Sequence, residues 1–186
     1  MTTKNKKSAA YKVKPVNMKA IRFHLTGTTP LVQRPISLRY ESEAPFFQSS
    51  KGWFGIPCKG IKSALFAAMK IEKVKMSKTS FVGGMFAVLP DGHARVESTP
   101  LVRITGKARD SAELGSKMAG GRLFYAGWEA DVVIRFDADR FEPAQVVKLM
   151  TVAGEKTGIG LIRPDAHRRR KAGHDFSYGT FSVSVL

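Results

Sequence analysis

Between residues 18 and 25, apolar Ile21, Phe23 and Leu25 alternate with polar Arg22 and His24, the period-two pattern of a strand buried on one side. The same period returns over residues 128–136, where Trp128, Ala130, Val132, Ile134 and Phe136 share a face opposite Glu129, Asp131 and Arg135. It returns again over 180–186, with Phe181, Val183 and Val185 pointing inward and Ser182 and Ser184 outward. Two segments change to the helical period. Ile61, Ala64, Leu65, Ala68 and Met69 recur at helical spacing behind Pro57 and predict a helix over 59–71. Val146, Val147, Leu149, Met150 and Ala153 predict a second one behind Pro143, with Gly154 where a C-cap belongs.

Between these elements the reading is coarser. Gly27-Thr28-Thr29-Pro30 marks a turn, with a short edge strand expected over 31–39 and a loop rich in Ser, Pro and aromatics over 40–55. Residues 81–89 are apolar and close on the turn Pro90-Asp91-Gly92, so 96–104 is expected to return as their antiparallel partner. The stretch 105–121 is polar, glycine-rich and aperiodic, the profile of a mobile loop. The order strand, helix, strands, strand, helix, strand predicts an α+β chain of the ferredoxin-like βαββαβ type, an antiparallel sheet with two helices on one face and inserted loops. One domain is expected over 17–186, preceded by a basic arm at 1–16.

Charge narrows the function. The 186 residues hold 31 Lys and Arg against 15 Asp and Glu, a net +16, and so large an imbalance calls for a polyanionic counterpart. With 43% hydrophobic residues the chain has the apolar material to fold, which excludes a disordered basic tail. No apolar run approaches a bilayer span and residues 1–15 lack a secretory signal, so a soluble intracellular protein without a membrane partner is expected. Cys58 is the only cysteine, which excludes an internal disulfide and any zinc site built from several thiolates. Nucleic acid is the polyanion that fits.

The basic residues cluster in the first nineteen positions, around Lys59 to Lys78, and around Lys156 to Lys171. The third cluster surrounds Gly154, Gly158 and Gly160, glycines that let a backbone turn after a helix and approach a ligand closely. Exposed N–H groups of such a loop can cradle phosphate, and Lys156, Arg163, Arg168, Arg169, Arg170 and Lys171 add cations around them. No Gly-Lys-Ser/Thr ending is present and the glycines follow a helix, so neither a P-loop nor a dinucleotide fingerprint fits. The expected phosphate-contacting set is Lys59, Lys62, Lys156, Gly158, Gly160, Arg163, Arg168, Arg169, Arg170 and Lys171.

The order helix, Gly158-Ile159-Gly160, Arg163-Pro164, then Tyr178-Gly179-Thr180-Phe181 entering the last strand resembles the C-terminal glycine-rich loop of the RAMP superfamily. Its members are ferredoxin-like RNA-binding subunits of CRISPR effector complexes. Gly27-Thr28-Thr29-Pro30-Leu31 after the opening strand is similar to the start of many of them, and the ending also resembles small phage-encoded proteins. The resemblance implies single-stranded RNA held along its backbone, side-by-side copies or effector subunits as partners, and a cytoplasmic setting in a bacterial or phage-infected cell. Single-stranded DNA stays open as a ligand, because phosphate contacts do not report the 2′-hydroxyl. So does a phage-encoded protein that mimics an effector subunit and blocks assembly.

A binding protein without cofactor, metal or catalytic residue is expected before an enzyme. Relatives that cut RNA use a histidine, so His24 or His174 could activate a 2′-hydroxyl, while His93 and His167 fit surface positions. The carboxylates Glu129, Asp131, Asp137 and Asp139 lack metal-site partners in their segments. Phe46, Phe47, Trp53 and Phe54, flanked by Lys51 and Lys59, could stack bases or pin their loop to the core.

Overall fold

The computed structural model describes residues 15–33, 48–49, 51–83, 87–89, 92–93, 100–111, 121–160, 163–164 and 178–186. The alternating segments form the main sheet. β1 (Met18–Gly27) lies between β9 (Glu129–Asp137) and β10 (Phe181–Val185), and β9 also pairs with β4 (Ala87–Leu89), every neighbour antiparallel. Register follows from burial. Phe23 lies opposite Val132 and Ile21 opposite Ile134, so one face gathers Phe23, Leu25, Val132, Ile134 and Phe136, all buried. A one-residue slip would turn this row to water.

On that face pack α1 (Cys58–Ile71), through Ile61, Ala64, Leu65, Ala68 and Met69, and α3 (Pro143–Val152), through Val146, Leu149, Met150 and Val152. The result is an α+β chain with one core between the helices and the main sheet. Two small antiparallel sheets flank it. One has the order β2 (Leu31–Gln33), β8 (Gly121–Phe124), β7 (Ala108–Ser111), and the other the order β3 (Gly55–Pro57), β6 (Pro100–Arg103), β5 (Gly92–His93).

Several expectations are corrected. β6, within the segment read as partner of 81–89, pairs with β3 and β5, while β4 pairs with β9 through Ala87 opposite Arg135. The front of 81–89 belongs to α2 (Lys78–Gly83), a short helix started by Ser77, whose hydroxyl accepts from the Ser80 N–H at 3.0 Å. The 105–121 loop is in part strand, since β7 and β8 pair from Ala108–Phe124 to Ser111–Gly121. Gly154 does not cap the second helix. One π-helical turn continues it over Ala153–Thr157, and Gly158 ends it at φ +67°. The inward row of β10 fades along this edge strand, with Phe181 buried, Val183 half-buried and Val185 exposed.

Candidate nucleic-acid interface

The glycine-rich bend sits at the end of the main sheet where β1 ends and β10 begins. There Gly158 donates to the Ala153 carbonyl at 2.8 Å, Ile159 to Gly179 at 2.9 Å, and Gly179 to Pro30 at 2.7 Å. Thr28 and Thr29 both donate to the Thr180 carbonyl, and their hydroxyls each lie 2.8 Å from the Thr180 hydroxyl. The Trp128 indole closes the knot by donating to the Thr29 carbonyl at 3.0 Å. Gly158, Gly160 and Gly179 all have positive φ. A Cβ on Gly160 would meet the Val32 carbonyl oxygen at 2.7 Å, and one on Gly158 would meet Pro164 at 2.9 Å.

Two amides of the loop are committed within the fold. The amides of Gly158 and Ile159 are used on protein carbonyls, and Ile159 is buried, so these two donors do not face a ligand. The glycines act one step earlier: they allow four chain segments to meet at van der Waals distance.

Lys156 is exposed on the π-helical turn. At the far end of α1, a hydrogen bond from Lys148, against desolvation and with the charges of Lys148 and Lys156 adding, holds the carboxyl of the C-cap residue Glu72 below its ordinary range. Arg163 folds back on the bend, its Nη1 donating to the Gly160 carbonyl at 3.2 Å. Lys59 is exposed and Lys62 half-buried on the first turns of α1. That helix start is tied to the bend through β2: Gly160 packs on Val32, and the next residue, Gln33, donates to the Gly55 carbonyl at 2.9 Å, three residues ahead of Cys58. Arg168, Arg169, Arg170 and Lys171 lie outside the described residues. Their points of attachment do not: the chain departs at Pro164 and re-enters at Tyr178-Gly179, and Gly158 lies against both Pro164 and Gly179.

The β7–β8 hairpin adds residues that the sequence reading passed over. Arg122 places its guanidinium 3.5 Å from the Phe54 ring centre and its Nη1 3.3 Å from an Asp110 carboxylate oxygen. Phe54 also meets Phe124 edge-on at 6.3 Å, so its ring is engaged within the fold and is not a free stacking surface. Trp53 is half-buried against Gly55, and Phe46 and Phe47 lie outside the described residues. Exposed Lys107, Arg109 and Tyr125 stand on the same hairpin. The short run Leu123-Phe124-Tyr125, apolar and aromatic, was the available signal for it.

His24 lies on the helix-free side of the main sheet, its Nδ1 2.8 Å from Asp131 and its Nε2 4.0 Å from Glu129. His167 and His174 lie outside the described residues. Among the described residues no group of three or more His, Cys, Asp or Glu could hold a metal, and no helix is long and apolar enough to cross a membrane. Cys58 is buried, and burial pushes its thiol up to about 11 in spite of a backbone hydrogen bond. Two outcomes are expected. At pH 8 a maleimide labels the native chain far more slowly than the urea-unfolded chain; equal rates would contradict the burial. With respect to this thiol the fold is most stable below the unfolded value and loses stability as pH rises toward about 11.

No protein-family profile and no curated protein matches the chain. Among solved structures it is similar to Csc2 of Thermofilum pendens, with 12% sequence identity and a TM-score of 0.37. The alignment covers 91% of this chain and 65% of that one, so the chain spans just under two thirds of the length of Csc2.

Proposed function

We propose that the chain is a ferredoxin-like, RAMP-type domain that holds single-stranded nucleic acid, RNA foremost, along its phosphate backbone. It does so as a subunit of a ribonucleoprotein or filament, beside further copies or effector-type subunits. Supporting the ferredoxin-like frame is the strand order of the main sheet, last, first, third, second, counting β1, β4, β9 and β10. The RAMP reading draws on the Gly-Ile-Gly, Arg-Pro and Tyr-Gly-Thr-Phe sequence around the bend. One observation carries the binding reading: exposed Lys156 precedes the packed bend at Gly158 and Arg163 folds back on it through the Gly160 carbonyl, while the sequence adds Arg168 to Lys171 a few positions on. Cations held there meet successive phosphates without reading bases, so little sequence selectivity is expected.

Protein purified at low salt is expected to carry absorbance at 260 nm that ribonuclease removes and deoxyribonuclease leaves. Protein free of nucleic acid under these conditions would speak against RNA as the resident ligand. The 2.8 Å contact of His24 with Asp131 favours a second reading, cleavage through an activated 2′-hydroxyl. Added RNA of defined length, recovered whole after incubation, removes that reading; fragments ending in cyclic phosphate support it.

A further inference from the structure

Two arginines of the β7–β8 pair, Arg122 and Arg109, each stand over an aromatic ring, and the two contacts differ in a way that matters. Arg122 closes directly on Phe54 at 3.5 Å, with its side chain largely covered, which makes a finished structural contact. Arg109 stands 6.0 Å from the Tyr125 ring centre, and both side chains are exposed, Tyr125 by 44%. A planar base between two planar groups needs about twice the ~3.5 Å contact distance, roughly 7 Å. The gap at Tyr125 falls short of this by an amount that a small swing of a long arginine side chain supplies.

The backbone under the ring is held. The Tyr125 N–H donates to the Lys107 carbonyl at 3.0 Å, the Gly127 N–H to Gly27 at 2.8 Å, and Trp128 next to it is fully buried. Gly106, at φ +134°, leaves no room for a Cβ against Trp128, and exposed Lys107 follows it as the backbone partner of Tyr125. Little backbone freedom is lost when something flat lands on the ring. Trp128 also donates to Thr29, so the chain that carries Tyr125 runs directly into the frame that holds the glycine-rich bend.

We infer that Tyr125 and Arg109 form a stacking site for one nucleobase of the bound strand, with Lys107 beside it to meet the adjoining phosphate. This rests on the phosphate-binding reading and adds a base-dependent contact to it. Every base has a π face, so the site gives affinity without sequence preference.

The test compares affinities of the full chain for a labelled 20-nucleotide RNA and for an equally long 1-deoxyribose phosphate oligomer, which keeps the charges and lacks the bases. Wild-type protein is expected to prefer the RNA by about tenfold or more. Tyr125→Ala is expected to erase about a factor of ten from that ratio, and Tyr125→Phe to keep it. Both variants should leave the salt dependence of abasic-oligomer binding unchanged. A wild-type ratio near one, or a Tyr125→Ala ratio equal to wild type, overturns the stacking site while salt-dependent binding stands. Wild-type affinity for the abasic oligomer that does not change with salt overturns the phosphate reading instead, and with it the stacking site.

Discussion

Replacing Gly179 with alanine is expected to lower the unfolding free energy by about 4 kcal/mol or more, close to the limit that single substitutions reach. Gly179 has φ +74°, where an L side chain is strained by about 1–2 kcal/mol. Its new Cβ would also fall within van der Waals contact of the Ile159 carbonyl oxygen, which belongs to backbone and cannot rotate away. Moving that backbone disturbs the bonds from Ile159 to Gly179 and from Gly179 to Pro30, each worth about 1 kcal/mol. Overpacking adds roughly 1–3 kcal/mol. Gly60 is the control. It lies inside α1 with nothing near its Cβ position, so Gly60→Ala should stabilise by up to about 1 kcal/mol. Urea denaturation read by tryptophan fluorescence measures both. A Gly179→Ala midpoint as high as that of wild type would mean the bend is not the packed junction described here.

Under the proposed function the same substitution is expected to weaken binding, because Gly179 follows the arginine-rich segment in the chain. Loosening it is expected to weaken the packing of Gly158 near Pro164 and the bond from Arg163 to the Gly160 carbonyl. Cations that lose a common base contact phosphates one at a time and bear a larger entropic cost for each contact.

The elements legible in the sequence are those whose burial repeats at a fixed period. Trp128 to Phe136 alternates over a whole strand, and all five inward residues are buried. Ile61 to Met69 keeps the helical stripe, and α1 begins one residue before the expected start at Lys59. Legibility stopped where an element is too short to show a period or is set by a distant partner. α2 has six residues, and its start rests on the Ser77 hydroxyl. β6 chooses β3 over β4, and nothing local in Pro100–Arg103 encodes that choice.

The site divides along the same line. The grouping of Lys156, Gly158, Gly160 and Arg163 is visible because they are neighbours in the chain. That Gly158 and Ile159 use their amides inward was not, since the acceptor of Ile159 lies twenty residues on, at Gly179. Arg109 and Tyr125 escaped notice for the same reason: their approach needs the β7–β8 pairing that a polar, aperiodic stretch concealed.

The strongest functional prediction concerns charge. On single-stranded nucleic acid each neutralised phosphate contributes about 0.7 to the slope of log affinity against log salt. Four substitutions together, Lys59→Ala, Lys62→Ala, Lys156→Ala and Arg163→Ala, therefore reduce the slope by about 4 × 0.7, or roughly 2.8. At 0.1 M salt this corresponds to a loss of several hundredfold, about 10 to the power 2.8, if non-ionic contacts are unchanged. The eight charged side chains of the expected set allow a slope of up to about 5.6 in wild type.

The decisive measurement is fluorescence anisotropy of a labelled single-stranded RNA titrated with wild-type protein from 50 to 400 mM salt. Affinity that falls steeply and linearly on logarithmic axes, with a slope magnitude above about 3, is the predicted result. A flat line, or a quadruple variant that keeps the wild-type slope while its melting temperature is unchanged, contradicts the account.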